Sequence, residues 1–278
     1  MKLINFNKMN GAGNDFILID KVLNPKIKLT AKIISKMCKR EIGIGADGVL
    51  LIDKHNKYDF NLKYYNSNGK VGSLCGNGSR CAISYAASNY KIKNSKVKFL
   101  CSGKIYSGEV LRMNLIKFHL HKPTDIKISI VIKTRNYKIK GSYVDTGSPH
   151  VVIFWDDIKK IIKSNFNKFD ITKIGREIRN SKQFAPNGTN VNFVKIGKGV
   201  VKIRTYERGV EAETLACGTG AVAATVVLSQ KFGSKSPIKF QTKSSKTLQV
   251  DFLLKKNEIS KISLTGPAKI NYIGTYNF

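Results

Sequence analysis

The sequence predicts an α/β (α+β) fold of two pseudo-symmetric halves, each a strand layer or barrel-like sheet around a central helix, with the active site in the cleft between them. The first supporting observation is a duplicated phrase, Cys-Gly-x-Gly, which begins at Cys75 and again 142 residues later at Cys217. The second is that Val97-Lys-Phe recurs in similar form after 141 residues. The third is that segment 13–19 resembles a segment 134 residues further on. Three ordered matches at nearly constant spacing favour internal duplication over chance.

The length of the chain is compatible with this division. At 278 residues, it can form one large domain or two domains of about 130 to 140 residues, and either can bury a substantial core. The tail that follows Gly266-Pro267 is rich in strand-forming residues and is predicted to return to the first half. The predicted division is therefore 1–118 plus 267–278 for the N-terminal half and 119–266 for the C-terminal half.

Strand and turn signals begin the first half. Alternating apolar residues around Leu3 and Phe6 predict a strand, and a turn at Gly11 separates it from a second strand at 16–19. A helix should follow, because Thr30 is a suitable N-cap residue. The apolar face of this helix has helical spacing and consists of Ile33, Ile34, Met37 and Cys38.

The segment 43–48 reads Gly-Ile-Gly-Ala-Asp-Gly and has the letters of a dinucleotide-binding fingerprint. Such a fingerprint follows a strand and begins a helix. Here the order is reversed, because a predicted helix precedes the segment and a predicted strand at 49–52 follows it. We therefore reject a nucleotide site at this turn.

Each cysteine phrase predicts a turn that begins a helix of small and apolar residues, and the first such helix should end near Tyr90. The stretch 156–181 predicts one or two short helices, whereas 122–142 is basic and loosely alternating without a motif. The remaining predicted strands are 60–65, 97–100, 104–111, 117–121, 151–154, 191–196 and 200–206.

The formal net charge of +31 raises the possibility of an acidic partner such as nucleic acid. The basic residues are 41 Lys and only 8 Arg, and they are spread along the whole chain. A phosphate-binding surface would cluster the charge and favour Arg, which binds phosphate through two parallel hydrogen bonds. A dedicated nucleic-acid role is thus the weaker alternative, and no specific nucleic-acid partner is predicted.

Cysteine usage and the N-terminal segment indicate a cytoplasmic protein. The five cysteines are an odd number without a Cys-x-x-Cys pair, which is typical of thiols in a reducing compartment. The first ten residues lack the apolar region of a signal peptide. No run of 18 apolar residues occurs in the sequence, so no membrane-spanning segment is expected.

Signals for a metal or a cofactor are weak. His119 and His121 alternate onto one face of a predicted strand, but no carboxylate or cysteine companion suggests a metal site there. The sequence contains no Walker phosphate-binding motif. A lysine that forms a Schiff base with pyridoxal phosphate remains open on the sequence alone. The prediction is that the protein uses neither a metal nor a cofactor.

The duplicated phrase has a chemical interpretation. A Gly-x-Gly turn at a helix start directs backbone N–H groups and the positive end of the helix dipole at a ligand, so a carboxylate can bind there. The adjacent cysteine should be a stronger acid than a free thiol and can act as a base. A single buried cysteine is more often structural. The duplicated context favours a pair, Cys75 and Cys217, that inverts one carbon centre by moving protons on opposite faces.

The sequence resembles the diaminopimelate epimerase family, which inverts an amino-acid carbon without a cofactor, over essentially its full length. The matching motifs occur in the order and at the spacing of the family. They are Gly11–Phe16, Gly43–Gly48, Asn66–Gly69, Cys75–Gly78, Gly147–His150, Asn190–Asn192, Glu207–Gly209 and Ala216–Gly220.

The resemblance implies that the protein interconverts LL- and meso-diaminopimelate in lysine and peptidoglycan precursor synthesis. It also implies that the protein is a homodimer and that its binding partner is this small-molecule substrate. It implies that Cys75 and Cys217 are the acid–base pair, and that His150 and Glu207 orient the α-amino group beside them. It also implies two sets of substrate-binding residues. The set for the reacting carboxylate is Gly76, Asn77, Gly78, Gly218 and Thr219, and the set for the distal end is Asn14, Asn66, Asn190, Glu207 and Arg208.

Two positions in motifs of the distal site depart from the family pattern. Some members have Gln where Gly48 stands, and some have Asn where Ser148 stands. The alternative within enzymes is a related two-cysteine racemase of the proline or hydroxyproline type. A substrate with one carboxylate would not require the distal Asn and Glu-Arg residues.

Overall fold

The computed structural model describes residues 3–256 and 258–277. The chain divides into two compact units, the first containing residues up to Leu120 together with those from Thr265 onward, and the second running from His121 to Leu264. The boundaries predicted from the sequence lie after residues 118 and 266. The chain passes from the second unit back to the first within one long strand, Glu258–Pro267.

The helices and strands are numbered in chain order. Those that precede the second unit are β1 (Leu3–Gly11), β2 (Asn14–Asp20), α1 (Ala31–Cys38), β3 (Gly48–Asp53), β4 (Phe60–Asn66), α2 (Gly76–Asn89), β5 (Lys96–Cys101), β6 (Lys104–Arg112) and β7 (Leu115–His119). Those that follow are β8 (Thr124–Lys133), β9 (Lys138–Asp145), β10 (Pro149–Phe154), α3 (Trp155–Ile162), α4 (Ile171–Arg179), β11 (Asn190–Ile196), β12 (Val201–Glu207), β13 (Ala212–Thr214), α5 (Gly218–Phe232), β14 (Ile238–Gln241), β15 (Thr247–Lys255), β16 (Glu258–Pro267) and β17 (Lys269–Asn277). Single 3-10 turns occur at Lys93–Ser95 and Lys182–Phe184.

Helix α2 is the central helix of the first unit. It contacts every strand from β1 to β7 and also β17, and residues Gly76–Ile83 are all buried. Small side chains such as Ala82 and Ala86 allow strands to approach the helix on all sides, because a strand can pack closely only against a slender helix. The predicted mixed α/β fold, with strands wrapped around a helix, is confirmed for this unit.

Helix α5 has the same role in the second unit. It contacts β9, β10, β11 and β15, and residues 218–229 are all buried. The opposite face of β11 packs against α3 and α4 through Val191 and Phe193. Because side chains alternate along a strand, Asn192 lies on the α5 face. The two short helices predicted within 156–181 are confirmed as α3 and α4.

The same strand order occurs in both units. In the first, β2 lies parallel to β3 and β3 lies antiparallel to β4, so the ladder begins at Gly48 opposite Asn66. In the second, β10 lies parallel to β11, which lies antiparallel to β12, and His150 stands opposite Asn190. In each unit the starts of two strands and the end of a third therefore meet at one edge.

Other local predictions have mixed outcomes. Helix α1 is confirmed, and Thr30 Oγ1 accepts a hydrogen bond from the Ile33 N–H at 3.3 Å. The predicted return of the tail is confirmed by the antiparallel pairing of β17 with β1. The strand predicted at 117–121 was placed too late. Strand β7 begins at Leu115 because Leu115 pairs with Arg112 across a tight turn, and it ends at His119.

Candidate active site

Cys75 is the N-cap residue of α2. Its backbone is extended (φ −108°, ψ 113°), and its Sγ accepts a hydrogen bond from the Gly78 N–H at 3.4 Å. A donor directed at sulfur stabilises the thiolate more than the thiol. The first turn of a helix also has N–H groups without intrahelical partners. The start of α2 is thus suited to hold an anion beside the sulfur.

The turn at Gly11 packs directly on this first turn of α2. A Cβ atom at Gly11 would lie 2.8 Å from the Asn77 carbonyl oxygen and 3.2 Å from Cys81 Sγ. Backbone oxygen cannot yield as a flexible side chain can, so glycine is required here. This close approach brings the start of β2, and with it the predicted binding residue Asn14, against the cysteine-bearing turn.

Asn14 and Asn66 lie at the same edge of the first unit. Asn14 begins β2, and Asn66 ends β4, where it stands opposite Gly48. The Asn66 backbone closes a turn by accepting from the Gly69 N–H at 2.9 Å. At Gly48, a Cβ would meet the Tyr65 carbonyl oxygen at 2.4 Å and the Tyr64 ring at 2.7 Å. A side chain at position 48 therefore does not fit this backbone.

The buried amides of Asn14 and Asn77 hydrogen-bond to each other, with Asn77 Nδ2 donating to Asn14 Oδ1. Asn77 Oδ1 accepts from Arg80 Nη2 at 2.7 Å, and Asn14 Nδ2 donates to Asp47 Oδ2 at 2.9 Å. We name these four residues the amide chain. The two asparagines are among the binding residues predicted from the sequence, whereas Arg80 and Asp47 were missed.

Asp47 lies inside one of the sequence motifs, and Arg80 lies two residues after another. Arg80 follows the first Cys-Gly-x-Gly phrase, where the second copy has Val222, and this difference between copies was the available signal. Its side chain is fully buried, and burial lowers its pKa to about 10. Asp47 occupies the fifth position of the rejected nucleotide fingerprint.

A cluster of charges surrounds Asp47. Arg40 donates to Asp47 Oδ1 at 2.8 Å and to both oxygens of Asp15 at 2.9 and 3.1 Å. Lys8 pairs with Asp15 at 2.7 Å. Burial favours the neutral form of Asp15, but Arg40 and Lys8 outweigh it and lower the pKa of that carboxyl. For Asp47, burial is the largest effect and raises the pKa.

Cys217 is the N-cap residue of α5 in the second unit. Its backbone is extended (φ −125°, ψ 108°), and its Sγ lies 3.6 Å from the Thr219 hydroxyl. A Cβ at Gly220 would lie 2.1 Å from Asn192 Oδ1 and 3.3 Å from Cys217 Sγ. The second phrase is therefore packed against β11 as closely as the first is packed against the Gly11 turn.

His150 is completely buried at the start of β10. Its Nδ1 lies 3.1 Å from Asn192 Nδ2, and Asn192 Oδ1 accepts from the Thr205 hydroxyl at 3.0 Å. Burial, assisted by the charge of Arg208, lowers the pKa of His150 to about 3. The imidazole is therefore neutral near pH 7. Within residues 3–256 and 258–277, His150 Nε2 has no hydrogen-bond partner.

Asn190 connects three segments at the edge of the second unit. Its Nδ2 donates to Ser148 Oγ at 3.0 Å and to the Pro149 carbonyl at 2.9 Å. Its Oδ1 accepts from the Arg208 N–H at 2.9 Å. Both amide hydrogens are thus used, and only Oδ1 can accept a further hydrogen bond. Ser148 contributes to this arrangement as an acceptor of the Asn190 amide.

Glu207 ends β12, and Arg208 follows it directly. The half-buried Arg208 lines a cavity of ≈ 370 Å³ together with Tyr143 and Asp145. Burial is the main reason that the pKa of Arg208 is lowered, and the neighbouring Arg179 adds to the effect. Side chains of both signs around this cavity are suited to an amino-carboxylate group.

The structure divides the predicted site residues by unit. The first unit contributes Asn14, Asn66, Cys75, Gly76, Asn77 and Gly78. The second contributes His150, Asn190, Glu207, Arg208, Cys217, Gly218 and Thr219.

The helices in residues 3–256 and 258–277 are too short or too polar to span a membrane.

Comparison with solved structures places this fold in a known class. A phenazine biosynthesis protein of the PhzF family from Bacillus anthracis has a TM-score of 0.73 at 13% identity, with 100% of both chains covered. A hydroxyproline epimerase from Agrobacterium vitis has a TM-score of 0.71 at 12% identity, covering 98% of this chain and 92% of that one. At such identities the similarity concerns the fold alone, which is that of PhzF-type proteins and proline racemase-like epimerases.

The family profile described as diaminopimelate epimerase matches residues 6–112 and 142–270. The chain belongs to the diaminopimelate epimerase family, and it is an enzyme of the isomerase class. The diaminopimelate epimerase of Chlorobaculum tepidum is 38% identical over 272 residues, which cover 96% of this chain and 99% of the relative. That of Aquifex aeolicus is 35% identical, with 94% and 93% covered.

Proposed function

We propose that this enzyme interconverts LL- and meso-diaminopimelate by a two-base transfer of the α-proton. The observation that carries the proposal is the pair of cysteines, each at the N-terminus of a buried helix, in a chain that belongs to the diaminopimelate epimerase family. Cys75 and Cys217 are proposed to act on opposite faces of one substrate carbon.

In this mechanism, one thiolate removes the α-proton, so that the C–H bond breaks and an S–H bond forms. The opposite thiol donates its proton to the other face of the carbon and becomes a thiolate. Negative charge develops on the α-carboxylate between the two transfers. The first-turn N–H groups of α2 and α5 are proposed to stabilise this charge, because helix N-termini favour anions.

His150 and Glu207 are proposed to position the reacting end of the substrate. Because Asn192 donates to His150 Nδ1, the ring proton lies on Nε2, and the imidazole acts as a donor. It can therefore bind a carboxylate oxygen, a sulfur or a neutral amine, but it cannot accept from an ammonium. The ammonium requires an acceptor, and the proposed one is the Glu207 carboxylate.

The distal amino-carboxylate end is proposed to bind Asn14, Asn66, Asn190, Glu207 and Arg208. The guanidinium of Arg208 supports this assignment, because it can donate two parallel hydrogen bonds to a carboxylate. Asn190 supports it differently, since its amide holds the Arg208 backbone. A proline-type substrate lacks a second charged end and would leave these groups unused.

The decisive experiment is incubation of the enzyme with LL-diaminopimelate in deuterium oxide. We expect meso product and deuterium at the α-carbon, because a thiol exchanges its proton with solvent. Absence of both would overturn the proposal. Parallel incubations with proline and hydroxyproline test the racemase alternative, and salt-dependent nucleic-acid binding tests the alternative suggested by the charge.

The enzyme is further proposed to act as a cytoplasmic homodimer. Exposed apolar side chains on the paired strands β1 and β17 support a dimer, among them Leu3 and Ile273, which are 67% and 71% exposed. Such side chains on adjacent strands often belong to an interface. Sedimentation equilibrium tests this proposal, and a monomeric mass at micromolar concentration would contradict it.

A further inference from the structure

We infer that Arg80 and Asp47 are positioning residues that orient the amides of Asn77 and Asn14, so that both present N–H donors to a substrate carboxylate. The inference rests on the proposed function and deepens it. It assigns a role to two residues outside the predicted site, and it names the substrate group that this side of the site recognises.

One end of the amide chain is a cation. A guanidinium has only donors, so the atom of Asn77 that lies 2.7 Å from Arg80 Nη2 is its oxygen. Arg80 Nη1 also donates to the Gly76 carbonyl at 3.2 Å. Two contacts to the first turn of α2 hold the guanidinium in place. The nitrogen of Asn77 consequently faces Asn14, to which it donates.

The other end is a carboxylate. Asp47 Oδ1 accepts from Arg40, and Oδ2 accepts from Asn14 Nδ2 and from the Asp15 N–H at 3.2 Å. Arg40 and the Asp15 N–H can only donate, so both oxygens of Asp47 act as acceptors and the group facing it on Asn14 is the nitrogen. The orientations required by the two ends agree. Neither amide can turn over without placing N–H against a cation or oxygen against an anion.

This fixed polarity determines what the amides can bind. The oxygens of Asn77 and Asn14 already accept from Arg80 and Asn77 respectively, so further contacts at the nitrogens can only be donations. A carboxylate accepts such hydrogen bonds, whereas an ammonium needs acceptors. Asn77, together with the N–H groups at the start of α2, is thereby a donor for the reacting carboxylate, and Asn14 is a donor for the carboxylate of the distal end.

The burial of Arg80 is an independent observation. Its side chain has no solvent exposure, and across the described residues its hydrogen bonds go to the uncharged oxygens of Gly76 and Asn77 without a carboxylate partner. Its Nε has no partner within that part of the chain. A buried cation without a counter-charge destabilises the fold. An anion at the start of α2 offsets this cost when it binds.

The test uses Asp47→Asn. The new side chain has nearly the same shape as aspartate but can also donate a hydrogen bond, so the Asn14 amide is no longer held in one orientation. We expect kcat/KM for LL-diaminopimelate to fall about tenfold, the effect of one charge-assisted hydrogen bond. The matched control is Asp15→Asn, which removes a charge from the same cluster without contacting the Asn14 side chain. Its kcat/KM should stay much closer to that of the wild type.

The double variant Asn14→Asp with Asp47→Asn separates orientation from stability. It keeps the net charge, and it restores acceptors for Asn77 and donors for position 14. We expect its thermal midpoint to return towards the wild-type value. Its kcat/KM should stay low, because a carboxylate at position 14 repels the substrate. Recovery of wild-type kcat/KM would overturn the inference, as would unchanged kcat/KM in Asp47→Asn.

Side-chain amide signals in ¹⁵N NMR test the amide chain without substrate. In the wild type, the Asn14 and Asn77 amides should exchange slowly with solvent. Asp47→Asn and Arg80→Lys should accelerate that exchange, whereas Asp15→Asn should not. If the wild type fails to incorporate α-deuterium, the proposed function is wrong. The NMR result still shows whether Arg80 and Asp47 orient the two amides. Unchanged exchange in both variants would refute the positioning roles.

Discussion

Asn192 Nδ2 lies 3.1 Å from His150 Nδ1 and donates to the Val151 carbonyl at 2.8 Å. A carbonyl only accepts, so the amide nitrogen of Asn192 must face both groups. Thr205 reinforces this orientation by donating to Asn192 Oδ1. The contact therefore selects one tautomer of His150, with the proton on Nε2, in the unit that carries Cys217.

The buried His150 should make the enzyme acid-sensitive. Its pKa is about 3 in the folded protein, against about 6.5 in an unfolded chain. Between these values the unfolded chain binds more protons. The stability contribution is therefore complete above pH 6.5 and is lost as pH falls, by about 1.4 kcal/mol per unit. Urea unfolding between pH 4 and 8 measures this slope.

His150→Gln should flatten the pH dependence, since glutamine does not titrate. His119→Gln is the matched control, because His119 is exposed, and it should keep the wild-type slope. Equal slopes for His150→Gln and the wild type would contradict the assignment of acid sensitivity to His150.

Removal of the amide of Asn192 should allow the His150 ring to adopt both neutral tautomers. Asn192→Leu keeps the volume but removes the donor to His150 and the acceptor of Thr205, so stability should fall by about 1 to 3 kcal/mol. The ¹⁵N shifts of the His150 ring should change from one tautomer to a mixture, and kcat should fall. Thr205→Val is the milder control, because it leaves the His150 contact in place. A single unchanged tautomer in Asn192→Leu would argue against this role.

Alanine should be tolerated differently at the two equivalent glycines, Gly220 and Gly78. At Gly220 the new Cβ would lie 2.1 Å from the amide oxygen of Asn192, and the Asn192 side chain is held by hydrogen bonds with His150, Val151 and Thr205. At Gly78 it would meet the end of a flexible Leu50 side chain at 2.9 Å. Gly220→Ala should therefore lower the free energy of unfolding by about 1 to 3 kcal/mol, typical of overpacking. Gly78→Ala should cost less, and the reverse order in urea titrations would be inconsistent with this packing.

Single replacement of either Cys75 or Cys217 by alanine should abolish epimerisation without unfolding the protein. Loss of one proton-transfer group typically costs about 10²- to 10⁴-fold in rate, and each direction of the reaction requires both thiols. The control is Cys81→Ala, because Cys81 is buried with its pKa raised to about 12 by that burial, and the second copy has alanine at this place. Circular dichroism and the conversion of LL- to meso-diaminopimelate measure the two effects. Full activity in either of the first two variants would rule out the two-thiol mechanism.

Local elements were predictable where a short-range signal exists. The cap at Thr30 and the apolar spacing after it predict α1, and the reversed order around 43–48 excludes a nucleotide turn. Strand bounds were less predictable. The start of β7 depends on its pairing with β6, and alternation along the chain does not reveal where the partner strand ends.

The duplicated Cys-helix units and the types of residue in their motifs can be derived from the amino-acid sequence. The orientation of those side chains depends on tertiary contacts. An asparagine amide has nearly the same shape when it is turned over so that its oxygen and nitrogen exchange places. Its orientation therefore depends on the charges that face it. Arg80 and Asp47 supply those charges for Asn77 and Asn14, although they are distant from each other along the chain. The tautomer of His150 likewise depends on Asn192, 42 residues away.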